Sequence, residues 1–308
     1  MRVFIVYCHP SEDSFTRNLC DAFMKGITDS GNEYILSDLY AMDFDAVMSE
    51  KEYLRDANYR NTPDIAADIL KEHEKINSSD AIVFIYPVFW TEAPARLVGW
   101  FDRVWTYGFA YGEKKMKMLD KAMILCSAGN PLERLERLGL LASMKKVMLG
   151  DRLFGRARSM EFVVFDSTSR ENRLRSEKWE TNLKKAYEKG KNFFTECKTE
   201  FSVDDRIFTA IENSESGEVS DQTVFCYHQK DDVIWADYSG GSIVKGMLIG
   251  KIDAEHNLHF SYQHINSAGE LKMGTCDSEP EIKNGKLRFY ERWKWTDGQE
   301  GTSVIEEF

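Results

Sequence analysis

The chain has 308 residues, of which 43% are hydrophobic and 30% charged, with 20 glycines and six prolines. This core-forming fraction excludes intrinsic disorder and collagen-like structure, and the length suits two domains of ~100–200 residues each. The net charge of −11 is uneven: residues 201–308 hold ten basic against 20 acidic side chains while residues 1–200 are nearly balanced, which argues against nucleic acid or an anionic membrane as a partner of the second half.

The N-terminal MRVFIVYCHP carries too short an apolar run for a signal peptide, and Val3–Tyr7 predicts a buried strand. Ser14 can cap the next helix, in which Phe15, Leu19, Ala22, Phe23 and Ile27 repeat at helical spacing up to Gly31. Tyr34–Leu36 predicts a second strand. Residues 40–63 are polar and aromatic with little period and predict a long excursion. Ile65, Ile69, His73 and Ile76 mark a second helix, and Ala81–Tyr86 a third strand. A helix over 93–106, a strand at Ala122–Cys126, a helical stretch over 132–149, a strand at Phe162–Phe165 and a long helix over 173–198 follow. Strands alternating with helices call for a five-stranded parallel sheet with helices on both faces, which binds ligands outside the carboxyl ends of its strands.

Past about residue 200 the period changes. Turn signals recur at Ser216-Gly217, Asp231-Asp232, Gly240-Gly241, Asp253–Asn257, Ser267–Gly269 and Asn284-Gly285, the last a strong hairpin signal. This predicts a small antiparallel all-β barrel or curled sheet. The expected domains are 1–199 and 200–308. His228, His256, His259 and His264 do not share a metal-ligand spacing, and the expectation is no metal site. The six cysteines have no CxxC pair, which fits reduced thiols of a cytoplasmic protein. No apolar run reaches the ~18–20 residues of a membrane span.

Two loops of the first half carry chemistry. After the first strand, His9-Pro10-Ser11-Glu12-Asp13-Ser14-Phe15-Thr16 runs into a helix N-terminus, where free N–H groups favour an anion such as phosphate. Ser11, Ser14 and Thr16 add hydroxyls there, and His9 a ring N–H. After the third strand, Pro87 fixes a turn, and Phe89, Trp90, Phe109 and Tyr111 supply aromatic walls for a flat ring. Neither GxGxxG nor a P-loop is present.

The His9-Pro10…Ser14-Phe15 stretch and the PxxWxxxPAxLxGWxDRVxxxGFAY pattern from Pro87 to Tyr111 resemble the flavodoxin-like NAD(P)H:quinone reductases, over about residues 1–195. The resemblance implies a flavodoxin-like fold and a flavin, FMN with FAD as the alternative. His9, Ser11, Ser14, Phe15 and Thr16 would hold its phosphate and ribityl chain. Pro87, Val88, Phe89 and Trp90, with Cys126, Ser127, Ala128, Gly129 and Asn130 after the fourth strand, would contact its ring. Phe109 and Tyr111 would lie on the substrate side, and Gly129 would help stabilise charge at the ring. It further implies ping-pong transfer from NAD(P)H to a quinone-like acceptor, and a homodimer through the 93–112 region. Departures are Ala128 in place of a glycine, Thr16 in place of a frequent Asn, and no Tyr or His between Ser127 and Gly150, where Arg134 and Arg137 stand instead. That gap leaves a flavin-binding regulatory subunit as the alternative to an enzyme. A one-electron carrier fits less well. The second half resembles a small bacterial all-β family, through Trp235–Ser242, Tyr262–Asn266 and Glu291–Trp295, whose members sometimes carry an N-acetylglutamate synthase label; no acyl-CoA phosphate loop supports that activity here.

Overall fold

The computed structural model describes residues 1–60, 65–195, 201–214, 216–283 and 286–307. They form two compact units, Met1–Cys197 and Lys198–Phe308.

The first unit is a five-stranded parallel sheet in the order β2-β1-β3-β4-β5, made of β1 (Arg2–Tyr7), β2 (Glu33–Asp38), β3 (Ala81–Pro87), β4 (Leu119–Ser127) and β5 (Ala157–Phe165). Strands β1 and β3 are apolar on both faces because both faces are covered. On one face Val3, Ile5 and Tyr7 pack under α1 (Phe15–Asp29). On the other Phe4, Val6 and Cys8 meet residues of α3 (Ala67–Asn77) and α4 (Ala95–Val104). The expected excursion over 40–63 is corrected in one respect: it contains a further helix, α2 (Glu50–Ala57), opened by a Ser49/Glu52 capping box. Arg103 of α4 secures it, donating to Glu52 at 2.8 Å and to Asp68 at 2.8 Å. The expected helix over 132–149 is also corrected. It is broken into α5 (Leu132–Arg137), α6 (Leu140–Lys145) and a π-helical segment, Lys146–Leu153, because Gly139 takes a left-handed φ of 69° between the first two.

The last helix, α7 (Arg175–Lys191), lies beside α1 on the first face, where Ala186 is fully buried. The two backbones touch through glycines. A Cβ on Gly190 would fall 2.2 Å from the Phe23 carbonyl oxygen, and one on Gly26 would fall 2.2 Å from that of Tyr187. Backbone cannot yield as a side-chain tip can, so Gly190→Ala should destabilise the first unit by about 1–3 kcal/mol. A thermal denaturation midpoint unchanged from the parent would contradict this packing.

The second unit is a closed eight-stranded antiparallel barrel whose neighbours follow chain order: β6 (Ile207–Asn213), β7 (Val224–Lys230), β8 (Val233–Gly240), β9 (Ile243–Ile252), β10 (Leu258–Asn266), β11 (Leu271–Lys283), β12 (Lys286–Trp295) and β13 (Glu300–Glu307), with β13 pairing back onto β6. Five of the expected turns fall between strands as expected, while Asn284-Gly285 lies outside the described residues. An Asp297-Gly298 turn between β12 and β13, with Gly298 at φ 96°, adds one that the pattern reading passed over. Alternation turns Leu287, Phe289, Glu291, Trp293 and Trp295 of β12 inward. Trp235 instead faces outward and stacks on His228 at 5.5 Å.

Candidate functional site at the carboxyl edge of the parallel sheet

The order β2-β1-β3-β4-β5 reverses direction between β1 and β3, and ligands of such sheets bind at that edge. The loops after β1, β3 and β4 are tied to one another there. Cys8 N–H donates to the Ile85 carbonyl at 3.0 Å, and Val88 N–H donates to the Ser127 carbonyl at 2.8 Å. The buried hydroxyls of Thr16 and Ser127 share a hydrogen bond of 2.8 Å. Thr16 therefore bonds the first loop to the fourth strand's end, a role that its threonine hydroxyl serves well.

In the first loop, the Ser14 hydroxyl oxygen accepts the Arg17 N–H at 3.0 Å as the N-cap, which leaves its own proton for another acceptor. The His9 ring is held by the Ser11 backbone through Nδ1 at 2.9 Å. Burial pushes its pKa below the ordinary value, so the ring is neutral at pH 7. The Phe15 side chain packs inward, edge-on to Trp179 at 4.5 Å, so only its backbone N–H, in the first turn of α1, is available to an anion.

After β3 the chain makes a tight reverse turn. Phe89 N–H donates to the Glu92 carbonyl at 2.8 Å and Glu92 N–H returns the bond at 2.9 Å. The two central residues, Trp90 and Thr91, sit in the left-handed region at φ 53° and 66°. Neither is a residue that favours it, and Thr is β-branched. The Trp90 side chain is 100% exposed. A strained turn that presents a bare indole costs stability of order 1–3 kcal/mol per residue, and such strain clusters at ligand sites. Arg152 braces it by donating to Glu92 at 3.0 Å while its guanidinium lies over the Phe101 ring. Replacing Trp90-Thr91 with Asn-Gly should raise the thermal midpoint of the ligand-free first unit and weaken ligand binding there. A lower midpoint would show that the turn is unstrained.

After β4, Cys126 is fully buried and Ala128 is bonded on both sides: its N–H to the Phe165 carbonyl at 2.9 Å, its carbonyl from Thr168 N–H at 3.0 Å. The Ala128 methyl packs beside Leu135 and Met144, away from solvent. The exposed Gly129 follows, and neither its N–H nor that of Asn130 has a partner among the described residues. The site thus offers free donors at Gly129 and Asn130, a polar loop at the α1 N-terminus and an uncovered aromatic face.

Phe109 and Tyr111 sit in a different setting. Phe109 is buried in the core, with its ring stacked on His73 at 3.6 Å and 13°. His73 donates its Nε2–H to the Val104 carbonyl, 2.8 Å away, and burial lowers its pKa to about 4. Tyr111 is half-buried against Tyr107 at 5.6 Å, near Asp56 and Arg55 of α2. Arg134 and Arg137 lie exposed on α5. The loop after β5 was missed from sequence. Ser167 there takes φ 61°, and Ser169 comes within 3.3 Å of where a Cβ on Gly129 would lie. The rule that singled out the other carboxyl-end loops applied equally to this one. Outside this edge, Asp204, Asp205 and His228 bring ligand atoms within 4.8 Å of one another on the second unit, largely exposed.

A parallel sheet with this strand order and with loops gathered at its switch point defines an open α/β ligand-binding protein of the flavodoxin type. Residues 1–185 match the family described as a flavodoxin-like fold, and the chain belongs to it. Residues 201–308 match a family described as avidin-like protein. An uncharacterized NAD(P)H oxidoreductase of Haemophilus influenzae is 31% identical over 155 residues, 48% of this chain and 75% of that protein. The NAD(P)H dehydrogenase [quinone] 1 of Cavia porcellus is 35% identical over 123 residues, 36% of this chain and 45% of its own length. The chain thus spans about half the length of the first curated relatives it matches. Among solved structures, an NAD(P)H:quinone oxidoreductase from Methanothermobacter marburgensis is 40% identical, with a TM-score of 0.60, over 63% of this chain and 96% of that one.

Proposed function

We propose that the first unit, within domain boundaries of 1–199 and 200–308, is a flavin-dependent NAD(P)H oxidoreductase that delivers hydride to a quinone or similar flat acceptor. The observation that carries this reading is the carboxyl edge itself: N–H groups at Gly129 and Asn130 without a partner among the described residues, and a fully exposed Trp90 on a strained turn of the same edge. The relative of 40% identity named as a quinone oxidoreductase supports it. The residues present suit a flavin. The α1 N-terminus with Ser11, Ser14 and His9 suits a phosphate, and Pro87, Val88, Phe89 and Trp90 suit one side of a flat ring. Cys126, Ser127 and Ala128 support the fourth-strand loop that presents Gly129 and Asn130. When bound, a flavin supplies two-electron hydride chemistry. The protein's own task is to orient NAD(P)H and then the acceptor in the same place, and to meet growing negative charge with the Gly129 and Asn130 N–H groups.

We assign FMN over FAD, and a cytoplasmic homodimer formed through the 93–112 region. In such a dimer Tyr111 would complete the partner's substrate side, while Phe109 would support it from the core. The purified protein should be yellow, release FMN on denaturation and oxidise NAD(P)H steadily with menadione. Tight flavin with no turnover would favour the regulatory subunit, a reading supported by the lack of a Tyr or His between Ser127 and Gly150. A colourless protein that takes up neither FMN nor FAD at micromolar concentration would defeat both.

A further inference from the structure

The interior of the barrel holds a cavity that the proposed reductase chemistry does not use. Its free volume is about 50 Å³. On a scale of ~10–15 Å³ for one water, that holds about three to five waters, room for a compact branched head group, and excludes a nucleotide. Phe225, Phe260, Tyr262, Trp293 and Trp295 form the apolar wall. Their rings are mutually inclined: Tyr262 and Trp295 meet at 68°, Trp293 and Trp295 at 58°. Rings inclined in this way enclose a compact group from several sides.

The polar lining of the cavity holds two carboxyl groups, Glu218 and Glu291, beside the hydroxyl and N–H groups of its Tyr, Trp and Ser residues. Glu291 is buried and, among the described residues, bonded to two serines, taking the Ser303 hydroxyl at 2.7 Å and that of Ser278 at 3.5 Å. The Asn213 Oδ1 is buried with no donor among the described residues. Glu218 meets His264 Nε2 at 2.8 Å, and His264 Nδ1 lies 3.1 Å from the Tyr238 hydroxyl, so both ring nitrogens are committed. No Lys or Arg is among the described residues that line the space. A carboxyl group enclosed by aromatic rings without a counter-cation is an arrangement that a cation would complete: ring faces attract positive charge, and burial strengthens the pairing with the carboxylate. The surrounding domain is itself strongly acidic.

We propose that the barrel interior is a second binding site, for a compact organic ammonium ion held between the aromatic box and Glu291. The inference stands independently of the flavin reading. The test is isothermal titration of the full-length protein with choline and with tert-butylammonium, alongside their uncharged isosteres 3,3-dimethyl-1-butanol and tert-butanol. At least one cation should bind saturably, and neither isostere should. Glu291→Gln, which keeps the shape, and Trp293→Leu, which opens the box, should each weaken the cation at least tenfold. Trp90→Ala, on the other unit, should leave it unchanged. The proposal is overturned if neither cation binds, if the isosteres bind equally well, or if binding falls with Trp90→Ala and persists in both barrel variants.

Discussion

Valine at position 129 together with alanine at position 90 should yield a folded protein stripped of flavin. Gly129 has no left-handed φ, and the tightest contact of a Cβ there would be the Ser169 Cβ at 3.3 Å, one that a surface loop can relieve by a small shift. The fold therefore tolerates the substitution. The loop's ligand face does not, because a branched side chain occupies the space through which the Gly129 and Asn130 N–H groups reach a flat ring. Removing the exposed Trp90 indole takes away the aromatic surface proposed for the same ring. The double variant should lose at least a hundredfold in FMN affinity, about 2.7 kcal/mol, with a thermal midpoint of the first unit close to that of the flavin-free parent. Stoichiometric flavin retained through purification would refute the assignment of both ring loops. Loss of flavin accompanied by unfolding would instead make Gly129 a folding residue.

Glu291→Gln should change how the barrel's stability responds to pH. Burial raises the Glu291 carboxyl from its ordinary 4.5 to about 7, against the smaller opposing effect of hydrogen bonds from Ser303 and Ser278. Between these two pH values the folded barrel keeps a proton that the unfolded chain has released. Stability from this group is thus full below pH 4.5, declines as pH rises, and is lost above pH 7. The span corresponds to about 3 kcal/mol. An amide of the same shape cannot ionise, so the difference in unfolding free energy between variant and parent should climb from pH 5 to pH 7.5 and then level off in the variant's favour. Parallel pH profiles would show that the carboxyl is not desolvated as its position implies. Saturating amounts of a bound cation should reverse the parent's disadvantage at high pH, since the ionised form then gains a partner.

These two sites were legible in the sequence to different degrees. The parallel sheet could be read because each strand is a short apolar run between amphipathic helices, a signal that survives without knowledge of neighbours. The barrel could be read from turn chemistry, since Gly240-Gly241 and Asp253–Asn257 mark reversals locally. Helix α2 was hidden in a segment of weak period, although its Ser49/Glu52 box was present; it is secured by Arg103, 51 residues away in sequence. Phe109 looked like a ligand wall and is a core residue, because its stacking partner His73 comes from another helix.

By itself the sequence determined the alternation of elements, the change of period near residue 200, the N-cap at Ser14 and the loops at the carboxyl ends of β1, β3 and β4. All of these depend on residues within a few positions of one another. Only the tertiary structure decided that Thr16 bonds Ser127, that the Trp90 turn is left-handed and braced by Arg152, that Ser169 crowds Gly129, and that Glu291 faces inward among tryptophans with no Lys or Arg among the described lining residues. The physical reason is the same in each case. Periodicity and capping are fixed by local backbone geometry, whereas strain, burial and charge pairing depend on which distant side chains share the space.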